Sequence, residues 1–150
     1  MSINIRKFAE SDRQYCRSLW RELADWHREI YQDQQIGGNT PEDFFDRHLS
    51  IVGPERIWVA ELDSKIVGLI GLVVKDDEAE IEPIIVSKPN RNRGIGSQLV
   101  RTVVSEAKRI DVKYLDVSPV ARNSETIGFF WKLGFVNIGH INLFVDFKNR

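Results

Sequence analysis

The sequence predicts an α+β domain, and three observations carry that reading. Short runs rich in β-branched residues at 57–62, 66–74 and 80–86, joined by polar turns, read as three sequential antiparallel strands. Two stretches before them carry apolar residues at helical spacing. A Gly-rich turn at Arg91–Gly96 then leads from the third strand into a further helix, with another strand at 113–120.

The bulk properties narrow the function. The chain has 150 residues, enough for a single domain over 1–150 with a sizeable core. Its formal net charge is −1. No overall basic field points to nucleic acid or to an anionic membrane. No apolar run reaches the ~20 residues that would cross a bilayer. The opening residues, MSINIRKFAESD, lack a signal-peptide apolar core. Cys16 stands alone, so no internal disulfide forms. Cys16, His27, His48 and His140 are scattered and suggest no metal site. A cytoplasmic location is expected.

In chain order, residues 3–8 alternate apolar and polar and read as a first strand. Ser11 and Gln14 have capping-box spacing. Cys16, Leu19, Trp20, Leu23, Trp26 and Ile30 follow a helical period to about Gln32. Gly37-Gly38-Asn39 breaks the chain, and Thr40-Pro41 restarts it as N-cap and N1, with Phe44, Phe45, His48 and Leu49 on one face. Core packing accounts for most of these aromatics. The functional alternative is an acceptor-binding wall of Trp20, Trp26, His27 and Tyr31. The run 66–74 is apolar on both faces, which places it centrally in the sheet. Pro83 cannot donate to a ladder, so the strand from Glu80 is expected to hold a bulge there or to lie at an edge. After Gly96, Leu99, Val103 and Ala107 form one helix face. Residues 135–147 read as two more strands with a turn near Gly139. Exposed edge strands in this half allow pairing into a homodimer.

The stretch Glu80–Gln98 carries the chemistry. A strand, a Gly-rich turn and a helix start together make an anion site. The first helical N–H groups lack intrahelical partners, and the macrodipole favours negative charge. Gly94 and Gly96 let phosphate oxygens approach the main chain, and Arg91 and Arg93 add positive charge. The spacing is neither G-x-x-x-x-G-K-[ST] nor G-x-G-x-x-G, since Leu99 takes the third Gly position. It is R-x-x-G-x-G, which resembles the acetyl-CoA signature of the GNAT superfamily of N-acetyltransferases. Residues 121–135 resemble that family's second signature, R-N-x-x-A-x-x-x-Y-x-x-x-G-F. Arg122, Asn123, Gly134 and Phe135 sit on its fixed positions, while Thr126 and Phe130 stand in for Ala and Tyr. Asn123 also suits an N-cap, and Gly134 a C′ glycine.

The resemblance implies a mixed, mostly antiparallel sheet of about six to seven strands, with helices on both faces. It implies a splayed strand pair, 80–87 and 113–119, that binds the cosubstrate acetyl-CoA, and no metal. Backbone groups along Ile84, Ile85 and Val86 would hold the pantetheine arm. The turn residues Arg91, Asn92, Arg93, Gly94, Ile95, Gly96 and Ser97 would hold the diphosphate. Asn123 and Phe130 would lie near the cofactor, Phe130 beside its sulfur.

On this resemblance the acceptor would be a primary amine, on a small molecule or a protein. As ammonium it must lose a proton before attack. Strand alternation sets Glu80 and Glu82 on the face of Ile84 and Val86. Glu82, nearer Ile84, is the preferred base, with Glu80 as the alternative. The Ile84 N–H would stabilise the oxyanion. The family's Tyr donates to the departing thiolate, which Phe130 cannot do. The competing reading is therefore a CoA-binding module with little or no catalysis, serving as a sensor or interaction partner.

Overall fold

The computed structural model describes residues 2–148. Among them, five strands form one sheet in the order β1-β2-β3-β4-β5. These are β1 (Ile3–Lys7), β2 (Ile57–Leu62), β3 (Lys65–Lys75), β4 (Glu78–Val86) and β5 (Tyr114–Val117). The first four pair antiparallel in sequence, and β5 joins β4 in parallel. A parallel neighbour needs a crossover, which helix α3 (Ile95–Arg109) supplies. Helices α1 (Arg13–Tyr31) and α2 (Asp43–Val52) precede β2, and α4 (Ser124–Lys132) follows β5.

The sheet separates two cores. On one face, Cys16, Leu19, Phe45 and Leu49 of α1 and α2 meet Val59, Leu69 and Ile85. On the other, Leu99, Val100 and Val103 of α3 and Phe130 of α4 meet Ala60, Ile70, Leu72 and Ile81. The helix face expected after Gly96 is thus the stripe that buries. Truncating one fully buried Leu in such a stripe costs about 2–5 kcal/mol.

Charge fastens the helices. Arg6 on β1 donates to both Asp12 oxygens, at 2.8 and 2.9 Å, and to Glu61 on β2 at 2.9 Å. Asp12 is 3% exposed and also accepts from the Ala9 N–H. Asp12, not Ser11, therefore organises the start of α1. Arg13, Arg17 and Arg21, one turn apart on α1, pair with Asp46, Asp43 and Glu42 at the start of α2.

The expected strand count is too high. Residues 135–148 form no strand, so the sheet has five strands rather than six or seven. Alternation alone does not make a strand without a neighbour to pair with.

Pro83 resolves in favour of the bulge. β4 is internal, between β3 and β5. Across it, Ile70 pairs with Ile84 and Leu72 with Ile81, so Glu82 and Pro83 together oppose Gly71. A Cβ on Gly71 would lie 2.4 Å from the Glu82 carbonyl oxygen and 3.0 Å from His48 Nε2. Only glycine lets the bulged strand sit this close. Gly71→Ala is expected to destabilise the fold by ~1–3 kcal/mol through overpacking, read from denaturant unfolding. Unchanged stability would mean that the bulge relaxes freely.

Candidate active site

The bulge changes which way β4 side chains point. Ala79 and Ile81 belong to the α3-side core, and beyond the bulge Ile84 and Val86 pack against that same core. Ile85 lies in the α1/α2 core. The phase therefore slips by one residue between Ile81 and Ile84. Glu80 and Glu82 emerge on the α1/α2 face, opposite Ile84 and Val86, and not with them as simple alternation predicts.

β5 follows β4 for only part of its length. Glu78, Glu80 and Ile81 pair with Tyr114, Asp116 and Val117, and β4 then runs on through Glu82–Val86 without β5 beside it. The strand edge at Ile84, Ile85 and Val86 thus borders a gap. At the end of the gap β4 turns through Lys88–Asn90 into α3.

That turn fits an anion. Gly94 is the N-cap of α3, at φ +81°, and no side chain caps the helix start. Asn92 is also left-handed, at φ +64°. Asn92, Arg93 and Gly94 are exposed, while Ile95 is buried as the anchor of the first turn. The leading N–H groups thus lack a side-chain cap in a helix whose dipole favours an anion. The two glycines differ in their reasons. A Cβ on Gly94 would meet nothing within 4 Å, so its backbone angle is what demands glycine. A Cβ on Gly96 would stand 3.1 Å from the Phe129 ring, so Gly96 makes room for α4. Ser97 follows, half-buried, in the same turn.

Arg91 faces α1. Its guanidinium lies 3.9 Å above the Trp26 ring, its Nε donates to the Val86 carbonyl at 3.0 Å, and it pairs with Glu22 at 3.7 Å. Glu22 also accepts from the Lys88 N–H at 2.6 Å. Glu22 escaped sequence reading, although it lies one helical turn before Trp26.

The four proposed acceptor residues separate. Trp20 packs on Phe45 and His48, and with His27 it lines a groove of about 190 Å³ closed by Ile36, Pro41 and Phe44. Trp26 covers Arg91. Tyr31 takes the Arg122 N–H on its hydroxyl at 3.3 Å, with the Arg122 guanidinium over its ring.

The carboxylates have company on their face. Ser118 donates to Glu80 at 3.2 Å, and Asp116 is the partner of Glu80 in register. His48 presses against the Glu82 main chain beside Gly71, and its Nε2 is buried without a hydrogen-bond partner. Burial pulls the His48 pKa down while the Glu82 carboxylate acts in the opposite sense. Burial likewise lowers the pKa of His27. Sequence reading set His48 only on the buried face of its helix.

The acetyltransferase (GNAT) family model matches residues 17–135. The chain belongs to the GNAT family. Probable N-acetyltransferase camello of Xenopus laevis is 31% identical over 99 residues, covering 63% of this chain and 45% of that protein. The chain thus spans less than half the length of that relative. The PaiA N-acetyltransferase of Thermoplasma acidophilum, solved with coenzyme A, superposes with a TM-score of 0.74 at 22% identity over 89% of each chain. Glucosamine-6-phosphate N-acetyltransferase of Arabidopsis thaliana gives 0.69 at 19% identity, over 98% of this chain and 99% of its own. These similarities establish the GNAT fold.

The second GNAT signature is partly structural here. Asn123 is 5% exposed and caps α4, its side-chain oxygen accepting from the Thr126 N–H at 3.1 Å. Phe130 is 2% exposed and meets Phe129 and Phe135 edge-on, with centroids 5.0 and 5.3 Å away.

Two outcomes test this geometry. Gly94→Val forces a branched residue into the left-handed region, a cost of ~1–2 kcal/mol. Calorimetry should show CoA affinity lowered at least ~10-fold, with the fold retained; normal affinity would remove the turn from the site. Phe130→Tyr buries a hydroxyl beside the Phe129 and Phe135 rings and should lower stability by ~1–3 kcal/mol. A variant with an unchanged melting temperature and a raised turnover would instead set the phenol at the reacting sulfur.

Proposed function

We propose that the protein is an acetyl-CoA-dependent N-acetyltransferase that passes the acetyl group directly to a primary amine. The observation that carries this is the strand edge at Glu82–Val86, free of β5 and ending at the uncapped start of α3. The gap suits an extended pantetheine arm that hydrogen-bonds to backbone, and the helix start suits the diphosphate. The backbone of Ile84, Ile85 and Val86 and of the turn from Arg91 to Ser97 would face that ligand, the Arg91 side chain being turned to α1 and Ile95 buried.

The bulge supports a division of labour between the two faces of the sheet. The cosubstrate lies along the gap, with its diphosphate on the α3 side. Glu80, Glu82 and Asp116 stand on the α1/α2 face, where an amine can approach. Their negative charge favours an ammonium ion over an anionic acceptor. One carboxylate takes the ammonium proton, with Glu82 preferred and Glu80 the alternative. The amine nitrogen then attacks the thioester carbonyl, with the Ile84 N–H stabilising the oxyanion. The C–S bond breaks and the thiolate leaves. Phe130 offers it no proton, so water or a hydroxyl such as Ser118 or Tyr31 serves.

The missing phenol is the one observation that favours a second reading, a CoA-binding module without turnover. A panel of amines assayed by release of free thiol separates the two. Turnover with at least one cationic amine is expected. Tight acetyl-CoA binding with no thiol release from any amine would establish the binding module. Glu82→Gln should lower kcat/KM by ~10²–10⁴ while CoA affinity stays near normal. If Glu82→Gln is fully active and Glu80→Gln is not, the base is Glu80.

A further inference from the structure

We propose that the open edge of β3 at Leu72–Lys75 binds an extended peptide through its main chain and holds that peptide's terminal carboxylate on Arg56. β3 outruns its neighbour on one side. β2 starts at Ile57, opposite Gly71, and β3 continues to Lys75 with no strand beside it there. On the other side the same residues pair with β4, from Ile81 to Glu78. Main-chain groups of a strand turn alternately to its two sides, so those of Leu72–Lys75 that turn from β4 form an unpaired edge, a ready template for a further strand.

A cavity of about 380 Å³ runs along this edge, walled by the edge itself, by Ile51 and Val52 at the end of α2, and by Arg56. Ile51 is 80% exposed, and Val73 and Val74 are half-buried. Such walls suit aliphatic side chains on alternate residues of an extended ligand.

Arg56 supplies the charge. Its Nη1 is buried and has no hydrogen-bond partner among the described residues. A guanidinium nitrogen withdrawn from water without an acceptor is costly, and a carboxylate provides that acceptor. Glu106 on α3, the acid that senses the charge of Arg56, is already bound by Arg109 at 2.6 and 2.9 Å. The other charged wall residue is Lys75, and no acid lines the cavity among the described residues. The negative end of α2 also lies here, so the two cations, and not the helix, draw the anion.

Chain direction decides which end of the peptide meets Arg56. β2 is antiparallel to β3. A peptide set ahead of β2 in the same antiparallel sense runs toward Ile57, so its last residue arrives at Arg56. The reverse orientation would bring an ammonium to that guanidinium, a contact of like charges. The edge lies across β3 from β4 and its cosubstrate gap, so the inference stands apart from the catalytic proposal.

The probe is the tetrapeptide Thr-Val-Thr-Val, strand-forming throughout and acetylated at its amino end so that it offers no acceptor amine. Hydrogen exchange should show the Leu72–Lys75 amides that do not bond to β4 gaining protection as the peptide is added. Calorimetry should show the free acid binding at least ~10-fold more tightly than the same peptide amidated at its carboxyl end. Arg56→Gln should abolish that preference, with circular dichroism unchanged. Should that variant not fold, the comparison of acid with amide on the unaltered chain decides alone. Equal affinities, or no binding of the acid, would overturn the proposal. So would butyrate binding as tightly as the peptide, which would make the cavity a small-carboxylate site that ignores the strand edge. So would protection of these amides in the peptide-free chain that falls on dilution, which would mean that a second copy covers the edge.

Discussion

Two residues of β4 stand where one belongs, and the room for them comes from Gly71. Its missing side chain lets the Glu82 carbonyl occupy space that a Cβ would fill at 2.4 Å. From this contact follows the slip in the side-chain phase of β4, next to the point where β4 runs on past β5. A β-bulge disrupts regular pairing, and here the pairing of β4 with β5 ends at Ile81, the residue before the bulge. The position next to the bulge is also the one where the backbone edge first lacks a neighbour.

Placing the bulge there divides the chemistry between two environments. Residues before it show apolar side chains to α3 and acids to α1 and α2. Residues after it show Ile84 and Val86 to α3 and Ile85 to the other core. The start of α3 and the carboxylates of Glu80 and Glu82 therefore lie on different sides of one strand. In the proposed reaction, a polar cosubstrate end and a cationic acceptor would then be held without competing for the same charges. Arg91 is stacked on Trp26 and pairs with Glu22, which ties α1 to the turn.

The α1/α2 layer is held differently from the α3 layer. Three arginines on α1 meet three acids on α2, contacts that are individually weak at a surface. Both layers also pack closely on the sheet: α3 buries Ile95, Leu99, Val100, Val103 and Ala107, and α1 and α2 bury Cys16, Leu19, Phe45 and Leu49. The ion pairs join α1 to α2 in the layer that faces the carboxylates.

Much of this was legible in the sequence because it rests on local rules. The apolar stripe of α3, the hairpin of β2 and β3, the glycine turn at Gly94 and the Asn123 cap each depend on neighbours within a few residues. Local chemistry also raised the bulge at Pro83, since a residue without an N–H cannot continue a ladder. The sequence did not decide between bulge and edge, because that depends on β5, which arrives about thirty residues later. Nor did it decide the facing of Glu80 and Glu82, because a bulge counts residues against a partner strand, and the partner's Gly71 is not local. Trp20, Trp26 and Tyr31 looked alike along α1, yet each found a different neighbour: Phe45, Arg91 and Arg122. Residues 135–147 show the opposite limit, for their partial alternation suggests two strands, yet they form none. The sequence by itself determined the periodicities, the turns and the family. Tertiary structure alone decided register, facing and pairing, because each is a relation between segments that the chain brings together only by folding.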